Sequence, residues 1–304
     1  MSTEGGMRAV IAALIANLGI AAAKFVAFFL TTSTSMLSEA VHSLADSGNQ
    51  ILLLVGNKHA KRATNVNHDF GYGRVRYIYG FIVSIVLFVV GGLYSLYEGV
   101  HKWQNPEAVG RPEIAVAVLT VAILLESFSL RTAIKEVNHV RGKRTLWQFI
   151  RASRQPELPV IVLEDIGALV GLIFAFTGVA LTTVTQDARF DGLGAMAVGV
   201  LLIIIAVILS IEMTGMLVGE SALVEDRATI SRTLENSSLV NRVIHLRTLY
   251  VGPDELMVAA KIAVAPQLTA VEISVGIDVV EQQIRELVPY ARYVFIEPDI
   301  DQGL

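Results

Sequence analysis

Residues 190–216 read FDGLGAMAVGVLLIIIAVILSIEMTGM, with Asp191 and Glu212 as the only charged side chains. A hydrocarbon core about 30 Å thick takes roughly 20 apolar residues of helix, so this stretch is expected to cross a membrane. Working outward, five further stretches have the same character, at 8–30, 34–57, 76–101, 112–134 and 159–182. The fold class expected is therefore an all-α membrane bundle of six transmembrane helices over residues 1–218. The stretch at 8–30 is too long for a cleaved signal and has no small-residue cleavage site. The stretch at 112–134 is the most polar, because Glu126, Ser127, Ser129 and Arg131 crowd its second half.

Composition agrees. Of 304 residues, 53% are hydrophobic and 17% charged, against about 25% charge in an ordinary soluble domain. Mean hydropathy is +0.58. These values exclude a disordered chain, a nucleic-acid binder and an ordinary soluble enzyme. The net charge of −4 recruits no polyanion, and the absence of cysteine removes disulfides, thiolate metal sites and cysteine nucleophiles.

Orientation follows from lysine and arginine in the short loops. Lys58, Lys61, Arg62, Arg74 and Arg76 lie between the second and third stretches. Arg131, Lys135, Arg141, Lys143, Arg144, Arg151 and Arg154 lie between the fourth and fifth. The opposite loops hold Lys102, Arg111 and Arg189. Twelve against three puts the first side, and with it both termini, in the cytoplasm; the bacterial inner membrane is the expected location.

The composition changes near Gly219. Asp226–Leu234 is expected to be helical, Val243–Val251 and Glu255–Val264 to form a hairpin around Gly252-Pro253-Asp254, 269–287 to be a helix, and Tyr293–Ile296 a last short strand. Leu256, Val258, Ala260, Ile262 and Val264 alternate onto one face. The order predicts a cytoplasmic α+β domain, ferredoxin-like, over 219–304, serving regulation or dimerisation.

An ionisable side chain inside a membrane helix is a functional candidate by default. Ser38–Asp46 reads SEAVHSLAD and places His42 and Asp46 one turn apart, with Glu39 on the same face. The fifth stretch adds Glu164 and Asp165. An imidazole with carboxylates from two helices suits Zn²⁺, and also Mn²⁺, Fe²⁺ or Co²⁺. The alternative is a His–Asp contact that only satisfies two buried polar groups. A membrane hydrolase finds no HExxH, no GxSxG and no nucleophile beside a base, so no catalytic residue is assigned and the chain is not read as an enzyme.

These residues carry a resemblance. SEAVHSLAD at 38–46, NHDFGYGR at 67–74, Leu163-Glu164-Asp165 and Asp191 together resemble the cation diffusion facilitators. LYVGPDE at 249–255 and FIEPD at 295–299 look most like the zinc-transporter branch related to the mitochondrial member. The resemblance implies a homodimer that exports divalent metal, zinc first, in exchange for protons, with no cofactor and no nucleic-acid partner.

It also implies a transport site made of paired ligands from the second and fifth helices. His42, Asp46 and Asp165 match, but the residue four before Asp165 is Ile161, which cannot ligate. Water, Glu164 or Glu39 is left to supply the fourth ligand or a proton relay. The loop site of the family falls on Asn65, His68 and Tyr72, where His68 alone is a good ligand and a loop-fixing hydrogen bond is the competing role. In the cytoplasmic domain the family's histidines fall on Ile244, Ser274 and Glu297. Glu297 and Asp299 remain acidic, and no tight zinc pair is expected there. A second class of function, a metal-responsive membrane scaffold with a structural site and a partner-binding cytoplasmic domain, stays open at this point.

Overall fold

In lipid the backbone must satisfy its own hydrogen bonds, and a helix does so within one segment. The apolar stretches fold accordingly. The computed structural model describes residues 3–31, 34–106 and 112–300, and the side chains within 10–26, 29, 42–106 and 113–300. Helices α1 (Thr3–Thr31) and α2 (Thr34–Ala60) come first. α3 (Val75–Val86) and α4 (Tyr94–Gln104) are joined without a break by a π-helical segment, Leu87–Leu93. α5 (Pro112–Val140), a short α6 (Leu146–Ala152), α7 (Glu157–Thr185) and α8 (Arg189–Val218) complete the apolar part.

Four of the described stretches, Val75–Gln104, Glu113–Val140, Glu157–Thr185 and Arg189–Val218, are long and apolar enough to cross a membrane. α1 adds a shorter apolar run, Val10–Val26. α2 falls short of that measure for a physical reason: Ser43, Ser47, Asn49, Gln50 and Asn57 are all buried along it. Its polar side chains face protein, and that inward face lowers its mean apolarity.

α7 begins at Glu157, with Pro156 as its N-cap, just before the stretch expected at 159–182. The preceding chain is already used. Thr145 and Gln148 form a reciprocal capping box that starts α6, and Ser153 Oγ donates to the Gln155 carbonyl at 2.9 Å in the turn that follows.

Leu53, Val83, Val160, Ile161, Leu202 and Leu209 belong to one buried core. Glycines bring α8 close to its neighbours. A Cβ on Gly199 would lie 2.6 Å from the Leu96 nitrogen, and one on Gly99 only 2.5 Å from the Met196 nitrogen. Backbone therefore packs on backbone between α4 and α8, as small residues permit in membrane helices. Gly167 and Gly171 of α7 face Leu202, Ile205 and Val198 of α8.

By internal contacts the chain divides into two compact units. One comprises residues up to His59 with Arg76–Thr214, the other Ala60–Val75 with the residues from Gly215 onward. The second contains α9 (Val224–Glu235), β1 (Arg242–Gly252), β2 (Glu255–Val264), α10 (Ala270–Leu287) and β3 (Ala291–Ile300). β1 and β2 pair antiparallel, with Tyr250 opposite Leu256. β2 and β3 pair parallel, with Lys261 opposite Glu297. The sheet is thus mixed, in the order β1-β2-β3, and α10 supplies the crossover that a parallel pair requires.

The alternating residues Leu256, Val258, Ala260, Ile262 and Val264 are all buried, with Ile230, Leu234, Val280 and Ile284 of the two helices in the same core. β3 runs on to Ile300, beyond the short strand expected, because its ladder continues through Glu297, Pro298 and Asp299. An edge strand tolerates that proline. Within the same unit the 60–75 loop lies on the sheet. The Phe70 ring meets Tyr293 edge-on at 5.1 Å, Arg74 Nη2 donates to the Tyr250 carbonyl at 3.4 Å, and a Cβ on Gly73 would lie 2.8 Å from the Gly252 Cα.

Candidate functional site

Helical spacing puts His42 and Asp46 on one face of α2, and the fold turns that face inward. His42 Nε2 lies 3.8 Å from Asp46 Oδ2, with the side chains 21% and 13% exposed. That separation is too long for a hydrogen bond and leaves both groups able to turn to a third atom. The two line a small cavity of about 20 Å³ together with Lys24 of α1, Ser43, Glu126 of α5 and the Gly167–Leu172 side of α7. A volume of that size holds one water-sized occupant. Gly91, inside the π-helical segment, lies against the imidazole: a Cβ there would come 3.4 Å from His42 Cε1. π-Helical turns occur often at functional sites.

A second polar layer adjoins the cavity. Glu164 is buried on α7 and accepts from Asn49 Nδ2 at 2.7 Å through Oε1 and from Gln50 Nε2 at 3.1 Å through Oε2. Gln50 accepts in turn from Asn17 Nδ2 of α1 at 3.3 Å. Asp165, also buried, accepts from Ser129 Oγ of α5 at 2.9 Å through Oδ2. Asn49 and Gln50 follow Asp46 by three and four residues on α2, so their bonds to Glu164 join that face of α2 to α7.

Glu157 to Glu164 is about 10 Å of helix and Asn49 to Ala60 about 16 Å at 1.5 Å rise per residue. Since Asn49 bonds Glu164, α2 projects about 6 Å beyond the start of α7 at that end.

Each expected site residue can now be placed. His42, Asp46 and Asp165 belong to adjoining parts of one polar region, with Glu164 beside them. Among the described residues, no three His, Asp or Glu side chains stand close enough to form a ready metal cage. The side chain of Glu39 lies outside those described. Ile161 is 1% exposed in the apolar core, so that position offers no ligand. His68 is fixed in its exposed loop: its ring stacks on Tyr72 at 4.4 Å, and Nδ1 is 3.3 Å from Asn65 Oδ1. Glu297 and Asp299 both engage the Lys261 ammonium, each at 3.0 Å. That ammonium holds the Asp299 carboxyl below the usual carboxylate range, helped by the Ile300 N–H. Asp191, in the first turn of α8, pairs with Lys102 Nζ at 3.1 Å.

Several polar partners were not predicted as part of the site. Glu126 and Ser129 look in sequence like polar interruptions of a weak span, yet both are buried inward. Asn49 and Gln50 follow Asp46 by three and four residues, so the helical face that carries the candidate ligands already contained them. Arg76 reads as one of many loop cations. It is instead buried, with Nε 2.6 Å from Glu157 Oε1 and Nη2 2.7 Å from Oε2, a bidentate pair that ties α3 to the start of α7.

A polar cavity inside an apolar bundle can hold a cation, exchange protons with it, or serve only to satisfy its own groups. Comparison with known proteins bears on which. A human mitochondrial protein named a proton-coupled zinc antiporter is 34% identical over 224 residues, which is 73% of this chain and 39% of that protein. A Bacillus subtilis cadmium, cobalt and zinc/H(+)-K(+) antiporter is 33% identical over 97 residues, 32% of this chain and 29% of its own. The Magnetospira magnetosome protein MamB is 23% identical over 296 residues, 93% of this chain and 92% of its own. The chain thus spans about two fifths of the length of the human relative. It is a multi-pass integral membrane protein that resembles the mitochondrial zinc transporter. Because the match to the cation efflux transmembrane domain takes in residues 10–218, and so every side chain of the cavity and of the layer beside it, the chain belongs to the cation efflux family, the cation diffusion facilitators.

Proposed function

We propose that this protein is a proton-coupled divalent-cation antiporter, with zinc as the leading substrate and manganese, iron or cobalt as alternatives. It acts as a transporter and not as an enzyme. It works as a homodimer with six membrane-crossing helices over 1–218, a cytoplasmic domain over 219–304 and both termini in the cytoplasm. His42, Asp46 and Asp165 are the metal ligands, and Glu164 and Glu39 are accessory. The observation that carries this reading is the face of α2 that places His42 and Asp46 in one cavity against α7 and, one turn on, binds Asn49 to Glu164 beside Asp165.

The coupling follows from ligand chemistry. A metal ligand must be deprotonated, so loading the site displaces protons. Several empty, charged carboxylates together inside a membrane are costly. The site therefore holds metal or protons and seldom neither, and alternating exposure to the two sides turns that exclusion into exchange.

The test is zinc flux into vesicles containing the purified protein. Saturable zinc movement with opposite proton movement is expected, and His42→Ala or Asp165→Ala should abolish it while the protein stays folded. A second reading, the metal-responsive membrane scaffold, is favoured by one observation: the described residues form no closed three-ligand cage. A scaffold binds metal without transport, so the absence of flux from a folded, zinc-binding protein would select it.

A further inference from the structure

The cavity contains a cation of its own. Lys24 of α1 is 4% exposed, and its Nζ donates to Ser43 Oγ at 2.8 Å. Both residues line the cavity with His42, Asp46 and Glu126. An ammonium in a membrane interior is expensive unless negative charge faces it. Here two carboxylates of other helices share its cavity, so Lys24 has electrostatic company where snorkelling to the interface would otherwise be expected. Ser43, the hydrogen-bond acceptor on α2, directly follows His42 in the chain.

We propose that Lys24 is the resident counter-cation of the transport cavity, anchored by Ser43, which offsets one of the two carboxylate charges of Asp46 and Glu126 when no metal is bound, leaves the other to a proton, and weakens the hold on a divalent ion so that the ion can leave. The proposal rests on the antiporter reading above and assigns it a further residue. Counting only the cavity groups, Lys24 with ionised Asp46 and Glu126 and neutral His42 gives a formal charge of −1. A divalent ion changes this to +1. Without Lys24 the same two states are −2 and 0, and the loaded state is favoured. Ion and ammonium carry like charge in a volume of about 20 Å³, where water screens poorly and repulsion is strong. The ammonium must therefore yield as metal enters and return as it leaves. Lys24 is a residue that sets affinity and release through charge and is not itself a ligand.

Two measurements on the full-length protein test this: zinc binding by calorimetry in detergent, and zinc flux in vesicles. Lys24→Met is expected to lower the zinc Kd and KM roughly tenfold or more by removing a like charge, and to lower kcat because release slows. Lys24→Arg keeps the charge and should stay closer to wild type in both. Ser43→Ala keeps the ammonium but frees it to approach the carboxylates, and should raise Kd and KM. Unchanged Kd in Lys24→Met, or a kcat loss with no tightening, overturns the proposal. So does a Ser43→Ala shift in the same direction as Lys24→Met. If Lys24→Met does not fold, the sign of the Ser43→Ala shift decides alone: a rise in Kd supports the proposal, and no change or a fall overturns it. Wild-type protein that binds zinc but moves none defeats the antiporter reading while the Kd comparison still judges Lys24. Wild-type protein that binds no zinc defeats both.

Discussion

Arg76 and Glu157 show what one residue can do in this bundle. Their side chains are 7% and 3% exposed and meet through Nε at 2.6 Å, with a second bond from Nη2. Breaking a buried pair by removing one partner leaves the other charge buried and uncompensated, at about 3–5 kcal/mol. Arg76→Ala should therefore lower the thermal stability of the protein in detergent sharply. Replacing both residues by methionine should recover most of the loss, because an apolar pair of similar volume often costs little. Recovery no better than in the single variant would mean that the ion pair itself, and not the stranded charge, is what matters. Ser129 acts at the same scale on the site. Its hydroxyl donates to Asp165, and on the proposed role of Asp165 as a ligand such a hydrogen-bond partner is worth about 10–100-fold in metal affinity. Ser129→Ala should raise the zinc Kd by roughly tenfold, measured by calorimetry, and Ser129→Thr should retain most of the affinity.

At the scale of elements, sequence legibility depended on what kind of signal each element used. The β1–β2 hairpin was readable because Gly252-Pro253-Asp254 punctuates an alternating strand whose even-numbered residues are buried. The candidate ligands on α2 were readable because the spacing of His42 and Asp46 fixes a helical face. The π-helical segment Leu87–Leu93 was not: LFVVGGL is simply apolar, and the widened turn against His42 depends on tertiary packing. The inward role of Ser129 was likewise hidden, since periodicity cannot say which face of a membrane helix meets protein. The start of α10 is a case where a short motif suffices. Thr269 Oγ1 accepts from the Glu272 N–H, and the Glu272 carboxylate accepts from the Thr269 N–H and from its hydroxyl; the last two bonds hold the Glu272 carboxyl below its usual range. A lowered folded-state value contributes stability above the unfolded carboxylate range that is lost as pH falls through the folded value. Thr269→Ala should cost about 1 kcal/mol at neutral pH, and the deficit should shrink in strong acid, read by chemical denaturation across pH. A deficit independent of pH would show that the Glu272 half of the box contributes nothing.

For the molecule as a whole, the open question is whether the residues after Gly219 need metal. The core of the second unit draws on Ala222, Ile230, Leu234, Leu256, Ile262, Val280, Ile284 and Val294, all within 220–304, so it can close without the apolar helices. The acidic positions on β3 already have a cation: Lys261 sits 3.0 Å from both Glu297 and Asp299, and the pairing raises the affinity of that lysine for its proton, Asp299 contributing most and Glu297 next. An ammonium tethered by the neighbouring strand leaves those carboxylates no reason to recruit zinc. Isolated 220–304 should therefore fold alone and melt at the same temperature with chelator as with added zinc, because a ligand that binds only the folded state would raise Tm by mass action. One cost is expected. The isolated piece lacks residues 60–75, whose Phe70 and Gly73 cover Tyr293 and Gly252, so it should gain stability when a peptide of that loop is supplied. A zinc-dependent rise in Tm of several degrees would instead mean that zinc displaces Lys261, and that the family's cytoplasmic metal site persists here in another form.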